Sequence, residues 1–156
     1  MERKWSTCDI CDGWILSANL SGEHDESDSI KTKLREVLID LITSHNVDMF
    51  YVGNQGQFDA IVRGALRELK EEYPQINYAV VLAYIPGKQT EYDDYSDTML
   101  PEGIESVHPR YAISWRNNWM LRQSDYVVTY ITHSWGGAAQ FAVKAKRQKK
   151  TVINLE

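Results

Sequence analysis

The stretch Val47-Asp48-Met49-Phe50-Tyr51-Val52-Gly53-Asn54-Gln55-Gly56-Gln57-Phe58-Asp59 decides the fold class. Its first half is short, apolar and bounded, as a buried strand is. Gly53-Asn54-Gln55-Gly56 then breaks the chain. Beyond the break, Phe58, Ile61, Val62, Ala65, Leu66 and Leu69 recur at helical spacing. Tyr73-Pro74 stops that helix, because proline lacks the backbone donor and disfavours the helical conformation in the residue before it. Ile76 to Tyr84 is again rich in β-formers and ends at Pro86-Gly87. The order strand, glycine turn, helix, strand is what two parallel strands joined by a crossover helix require.

Working outward, the same alternation continues. Ile30, Leu34, Val37, Leu38, Leu41 and Ile42 mark an earlier helix, for which Asp28 or Ser29 is the expected cap. Ser6 to Leu16 is the expected first strand, and the polar, acidic Ser17 to Ser29 reads as a surface loop. A long loop is expected from Lys88 to about Val107, carrying Tyr92-Asp93-Asp94-Tyr95. Ala112 to Arg122 reads as a helix and Tyr126 to Ile131 as a strand. Ser134-Trp135-Gly136-Gly137 is a second break, Ala138 to Lys149 a helix, and Thr151 to Asn154 a last strand. The expected fold is α/β, a mainly parallel sheet with helices layered against it. In such sheets ligands sit beyond the carboxyl ends of the strands, where the strand order switches. That directs attention to Gly53, to Tyr84 through Gly87 and to His133 through Gly137.

A chain of 156 residues suits one domain, expected over 1–156, and its aromatic content of 11% excludes disorder in bulk. The net charge of −5 argues against a general nucleic-acid coat, which needs a basic footprint. A small anionic ligand needs only a local positive site and stays open. No run is apolar enough to span a bilayer, and Met1 leads into no signal-peptide core. A cytoplasmic protein without a membrane partner is expected. Cys8 and Cys11 form a lone C-x-x-C with no further zinc-ligand pair. The pair falls in the expected first strand, where a redox motif would open a helix, so it reads as two small buried residues. No metal and no cofactor are expected.

Both glycine turns join a strand to a helix. Glycine lets a ligand approach main-chain N–H groups, and the helix dipole behind them favours an anion. Neither turn is the G-x-G-x-x-G fingerprint or a phosphate loop of the Gly-Lys-Ser/Thr type. Read alone, each is equally a tight turn. Arg116 can grip phosphate or carboxylate through two N–H groups, or lie on a solvated helix face. Trp115 and Trp119 share a helix face and read as core or interface. The Tyr92-to-Tyr95 loop can cover a ligand or be a plain solvated loop.

Together these residues resemble the SLOG superfamily and, within it, the YpsA-like branch. The resemblance rests on Tyr51-Val52-Gly53-Asn54-Gln55-Gly56-Gln57-Phe58-Asp59, Leu69-Lys70-Glu71-Glu72-Tyr73-Pro74, Ala112-Ile113-Ser114-Trp115-Arg116-Asn117-Asn118-Trp119-Met120 and Ser124-Asp125-Tyr126 through Gly136-Gly137-Ala138-Ala139. It implies a Rossmann-like three-layer sandwich. It also implies that Gly53, Gly56, Phe58 and Asp59, with Arg116, Asn117, Gly136 and Gly137, face a nucleotide or nucleotide-derived ligand. Adding the rest of both turns and the loop at Tyr84 brings in Asn54, Gln55, Tyr84, His133, Ser134, Trp135 and Ala138 as candidate ligand-binding residues.

Two departures stand out. The Gly-His-Arg turn usual in that branch is replaced by Ile10-Cys11-Asp12-Gly13-Trp14-Ile15. The P-G-G-x-G-T-x-x-E motif of the Lonely Guy phosphoribohydrolases is replaced by Trp135-Gly136-Gly137-Ala138-Ala139-Gln140-Phe141. N-glycosidic cleavage needs a carboxylate or equivalent near the ribose, for which Asp59, Asp93 or Asp94 could substitute only if the fold brings one there. Binding is therefore expected ahead of hydrolysis. The expected function is to hold an ADP-ribose-like or cyclic nucleotide signal, as a sensor or a sequestering protein in bacterial or phage conflict. The alternatives are a nucleotide N-glycosidase and a homo-oligomeric interaction module with a vestigial pocket. The resemblance also implies a homo-oligomer.

Overall fold

The computed structural model describes residues 7–10, 24–54, 56–84, 97–131 and 137–155. The chain is mixed α/β, built of helices and short parallel strands. Strands β1 (Thr7–Ile10), β2 (Met49–Val52), β3 (Asn77–Val81), β4 (Thr98–Met99), β5 (Tyr126–Thr129) and β6 (Thr151–Asn154) form one sheet. Its order is β4-β3-β2-β1-β5-β6, and every described pairing is parallel. The chain thus builds outward from β1 to β4, then returns to lay β5 and β6 on the other side of β1. The order switches between β1 and β5, which pair with Cys8 opposite Tyr126 and Ile10 opposite Val128.

Helices α1 (His24–Ser44), α2 (Gly56–Glu72), α3 (Ala112–Gln123) and α4 (Gly137–Arg147) connect the strands. In α2, Phe58, Val62, Leu66 and Leu69 are fully buried, the inward stripe of an amphipathic helix. The last turn closes with Tyr73 N–H donating to the Leu69 carbonyl at 2.7 Å, just before Pro74. At the end of α4 the N–H groups of Lys149 and Lys150 donate to Lys146 and Ala145 carbonyls. This is the Schellman closure, and Lys149 takes the left-handed position, φ 61°, usually held by glycine.

Strand side chains alternate between two apolar clusters, as the pleat requires. Phe50, Val52, Val80, Leu82 and Val128 pack with Leu34, Leu38 and Leu41 of α1 and Phe58, Val62 and Leu66 of α2. Val81 and Val127, with Tyr51 and Val152 beside them, pack with Met120 and Leu121 of α3 and Ala145 of α4. α1 and α2 thus contribute to the first cluster, and α3 and α4 to the second. A third, small cluster of Ala83, Ile104 and Ala112 sits by the amino-terminal end of α3.

Three expectations need correction. The polar segment to Ser29 is not wholly loop: α1 begins at His24, so Asp28 and Ser29 lie inside the helix. Thr32 Oγ1 donates to the Asp28 carbonyl at 3.0 Å, one turn back. Acidic residues are favoured in first helical turns, so the composition of the run Asp25-Glu26-Ser27-Asp28 does not exclude a helix. The loop expected to Val107 contains β4 and a 3-10 turn at Ile104–Ser106. The open edge of β3 has backbone groups to satisfy, and Val80 and Leu82 N–H donate to Asp97 and Met99 carbonyls at 2.7 and 2.9 Å. Finally, β5 stops at Thr129, short of Ile131. The side chain of Asn154 replaces the ladder there, accepting from Ile131 N–H at 2.9 Å and donating to its carbonyl at 3.1 Å. The expected first strand is β1 as far as Ile10; Cys11 and the Tyr92-to-Tyr95 loop lie outside the described residues.

Candidate functional site

The first turn leaves β2 at Gly53 and enters α2 at Gly56. Because β2 and β3 are parallel, α2 starts on the carboxyl side of the sheet and runs back. Gly53 is glycine for space. A Cβ there would stand 2.6 Å from Asp59 Oδ2 and 3.2 Å from Arg116 Nη2. A carboxylate from α2 and a guanidinium from α3 thus close on the main chain at one point. Both side chains are 1% exposed. The Gly53 carbonyl accepts from Arg63 Nη1 at 3.4 Å, tying the turn to the next turn of α2.

Arg116 is the hub. Its Nε and Nη2 both donate to Asn117 Oδ1, at 3.1 and 3.0 Å. Its Nη1 donates to Asn54 Oδ1 at 3.2 Å and to the Val81 carbonyl at 3.4 Å. A planar, permanently charged fork can serve several acceptors at once, which a lysine cannot. The buried arginine therefore locks the first turn, the end of β3 and α3 into one unit. The solvated helix face that a lone arginine usually occupies is not its position here.

The second turn follows β5, and α4 begins at Gly137 on the same carboxyl side. Gln55, His133, Ser134, Trp135 and Gly136 lie outside the described residues, and Gly56, Gly137 and Ala138 are placed as backbone of α2 and α4. What the structure does place is a contact between the start of α2 and the end of β5. Phe58, in the first turn of α2, stacks on Tyr130, just beyond β5, with ring centroids 6.1 Å apart and planes at 22°. The segments after β2 and β5 therefore meet across β1, at the switch in strand order.

Tyr84 stands at the outer end of this edge. It is 44% exposed, and its hydroxyl donates to the Pro109 carbonyl at 2.9 Å. Of the tryptophan pair, Trp119 packs edge-on against Tyr51 at 5.4 Å, and Trp115 lies against the small third cluster. Both are half-buried side chains serving the core.

Three contributors were not legible in the sequence. The Thr129 hydroxyl, at the carboxyl end of β5, is buried with no hydrogen-bond partner among the described residues. Asn154 clamps Ile131 and so sets where the second turn departs. Arg63 braces the first. A lone Thr, Asn or Arg carries no pattern, and each matters only through strand order. Among the described residues, no group of three or more His, Cys, Asp or Glu is placed to hold a metal ion, and no helix is long and apolar enough to cross a membrane.

No protein-family model matches the chain, and no curated protein matches it in sequence.

Proposed function

We propose that this chain is a Rossmann-like sandwich of the SLOG type that binds a nucleotide or nucleotide-derived signal at the carboxyl edge of its sheet. The observation that supports this reading is the Phe58–Tyr130 stack, which brings the start of α2 against the residue that follows β5, at the switch in strand order. The amino termini of α2 and α4 both lie on this carboxyl edge, and such ends favour phosphate. The close approach at Gly53 and the Thr129 hydroxyl, which has no partner among the described residues, supply a tight main-chain surface and a polar group on the same edge. In this reading Arg116 is a positioning residue that shapes the first turn from below. Its burial and its bonds to Asn54, Asn117 and Val81 support that role.

Binding is favoured over N-glycosidic hydrolysis. Asp59, the one described carboxylate that could serve a ribosyl cation, is buried against Gly53 and Arg116. A general acid or base has to reach the atom whose proton it moves. Holding rather than cleaving the ligand fits a sensor or a sequestering protein, and a homo-oligomer belongs to the same reading.

The test is to denature freshly purified protein and identify the released small molecules by mass spectrometry. A nucleotide or ADP-ribose-like species at near-stoichiometric yield is the expected result. Protein that releases none, and that binds none of a panel of mono-, di- and cyclic nucleotides and ADP-ribose, overturns the reading.

A further inference from the structure

A second feature lies on the same edge and is absent from the resemblance. Among the described residues, two of the large apolar side chains most open to solvent are Tyr84 at 44% and Tyr111 at 58%. They are not scattered. The Tyr84 hydroxyl is fixed on the carbonyl of Pro109, two residues before Tyr111. Tyr111 lies in a 3-10 turn, Pro109–Tyr111, that feeds directly into α3. That turn is capped by His108, whose Nδ1 accepts from Arg110 N–H at 3.1 Å. The His108 ring lies 6.1 Å from the Tyr111 ring, and the Arg110 guanidinium 5.8 Å from its centroid. Ala83, Ile104 and Ala112 make a buried floor nearby. Two exposed rings are thus held on a built base, with the Arg110 guanidinium over the Tyr111 ring, in a chain whose net charge is −5.

This shelf joins the site through Arg116. Its Nη1 holds the Val81 carbonyl, and Tyr84 follows three residues later, a reach of at most about 10 Å of extended chain. Tyr111 precedes Arg116 by little more than one helical turn, a rise of roughly 7.5 Å. The rings are therefore close to the first turn, on its side away from β1. Exposed aromatic faces flanked by a guanidinium bind a nucleobase by stacking, and a phosphate-bearing ligand is drawn by the cation as well.

We propose that Tyr111 and Tyr84, with Arg110 at the Tyr111 ring, form the base-stacking shelf of the site, so that the ligand is a nucleotide carrying an intact aromatic base. This rests on the nucleotide-binding reading above. It assigns the base end of the ligand to the outer edge of β3 and leaves the phosphate end to the crevice at β1.

The test is calorimetric titration of wild type, Tyr111→Ala and Tyr111→Phe with AMP, cyclic AMP, ADP-ribose and base-free ribose 5-phosphate. Tyr111 is mostly exposed, and unchanged thermal unfolding of both variants will confirm that they fold. For whichever base-bearing probe binds best, Tyr111→Ala lowers affinity about tenfold, the scale of one base–aromatic stack. Tyr111→Phe keeps it, and ribose 5-phosphate binds weakly and equally to all three proteins. If a base-bearing probe binds wild type and Tyr111→Ala equally well, the shelf is wrong and the nucleotide reading stands. If ribose 5-phosphate binds as tightly as the base-bearing probes, the shelf is again wrong. If no probe binds wild type, both proposals fall.

Discussion

The two faces of the sheet are built on different principles. The α1–α2 face is almost purely apolar: Leu34, Leu38, Leu41, Phe50, Val62 and Leu66 are all fully buried there. The α3–α4 side has a much smaller apolar cluster around Val81, Met120, Leu121 and Val127. Of the five buried polar residues described, Arg116, Asn117, Ser124 and Thr129 come from α3, its end or β5, and only Asp59 comes from α2. Burying polar groups costs free energy unless each finds a partner, so a face that keeps them serves more than stability. The first face makes the domain stable, and the second shapes its edge.

That division makes separable predictions. The largest effect on stability belongs to the apolar face. Leu66→Ala should cost about 2–5 kcal/mol, from lost burial plus the cavity left behind, read by urea unfolding. Protein still folded at low temperature should retain its full complement of bound nucleotide. Gly53→Ala should cost less, about 1–3 kcal/mol, because the new methyl must displace Asp59 and Arg116 from tight contact. It should nonetheless abolish nucleotide retention, read by the same denaturation and mass spectrometry. If Leu66→Ala lost ligand while Gly53→Ala kept it, the assignment of roles to the two faces would be reversed.

The smallest effect lies at the amino end of β3, the end opposite the proposed ligand edge. Tyr78 donates its hydroxyl to Asp97 Oδ2 at 2.9 Å. Burial, reinforced by that carboxylate, holds the phenol above its ordinary value near 10. The folded state therefore prefers the neutral phenol more than the unfolded chain does. Its contribution is fully present below pH of about 10 and is lost as pH rises through the higher folded value. Tyr78→Phe should cost about 1 kcal/mol at neutral pH. It should also flatten the fall in thermal midpoint above pH 10, with ligand retention unchanged.

Much of the fold was legible because helices and strands announce themselves by period. The α2 stripe, the stop at Pro74 and the strands at Met49, Tyr126 and Thr151 all follow from spacing and turn residues. The start of α1 was missed because an acidic run reads as loop by composition, although it also suits a helical first turn. β4 was missed because two residues carry no periodicity; it exists only since β3 needed an edge partner. The site divides in the same way. Gly53 was visible as a glycine, but its reason, room for Asp59 and Arg116, depends on a helix sixty residues away in the chain. Arg116 was visible as a cation, yet its burial beneath Asn54 and Val81 follows from where α3 crosses the sheet. Thr129, Asn154 and Tyr111 had no sequence signal at all.

The strand order also bears on how the chain reaches this state. β1 is made first and is central, yet its neighbour β5 lies across most of the sequence, with Cys8 paired to Tyr126. The unit β2–α2–β3 is local and can assemble soon after it is synthesised. β1 can gain β2 early, but its other edge stays open until β5 has been made. Such long-range closure costs entropy before any contact offsets it, and slows folding. The ligand site proposed at this edge thus lies over a late-closing seam of the sheet, so a bound nucleotide would bridge the two halves that meet there.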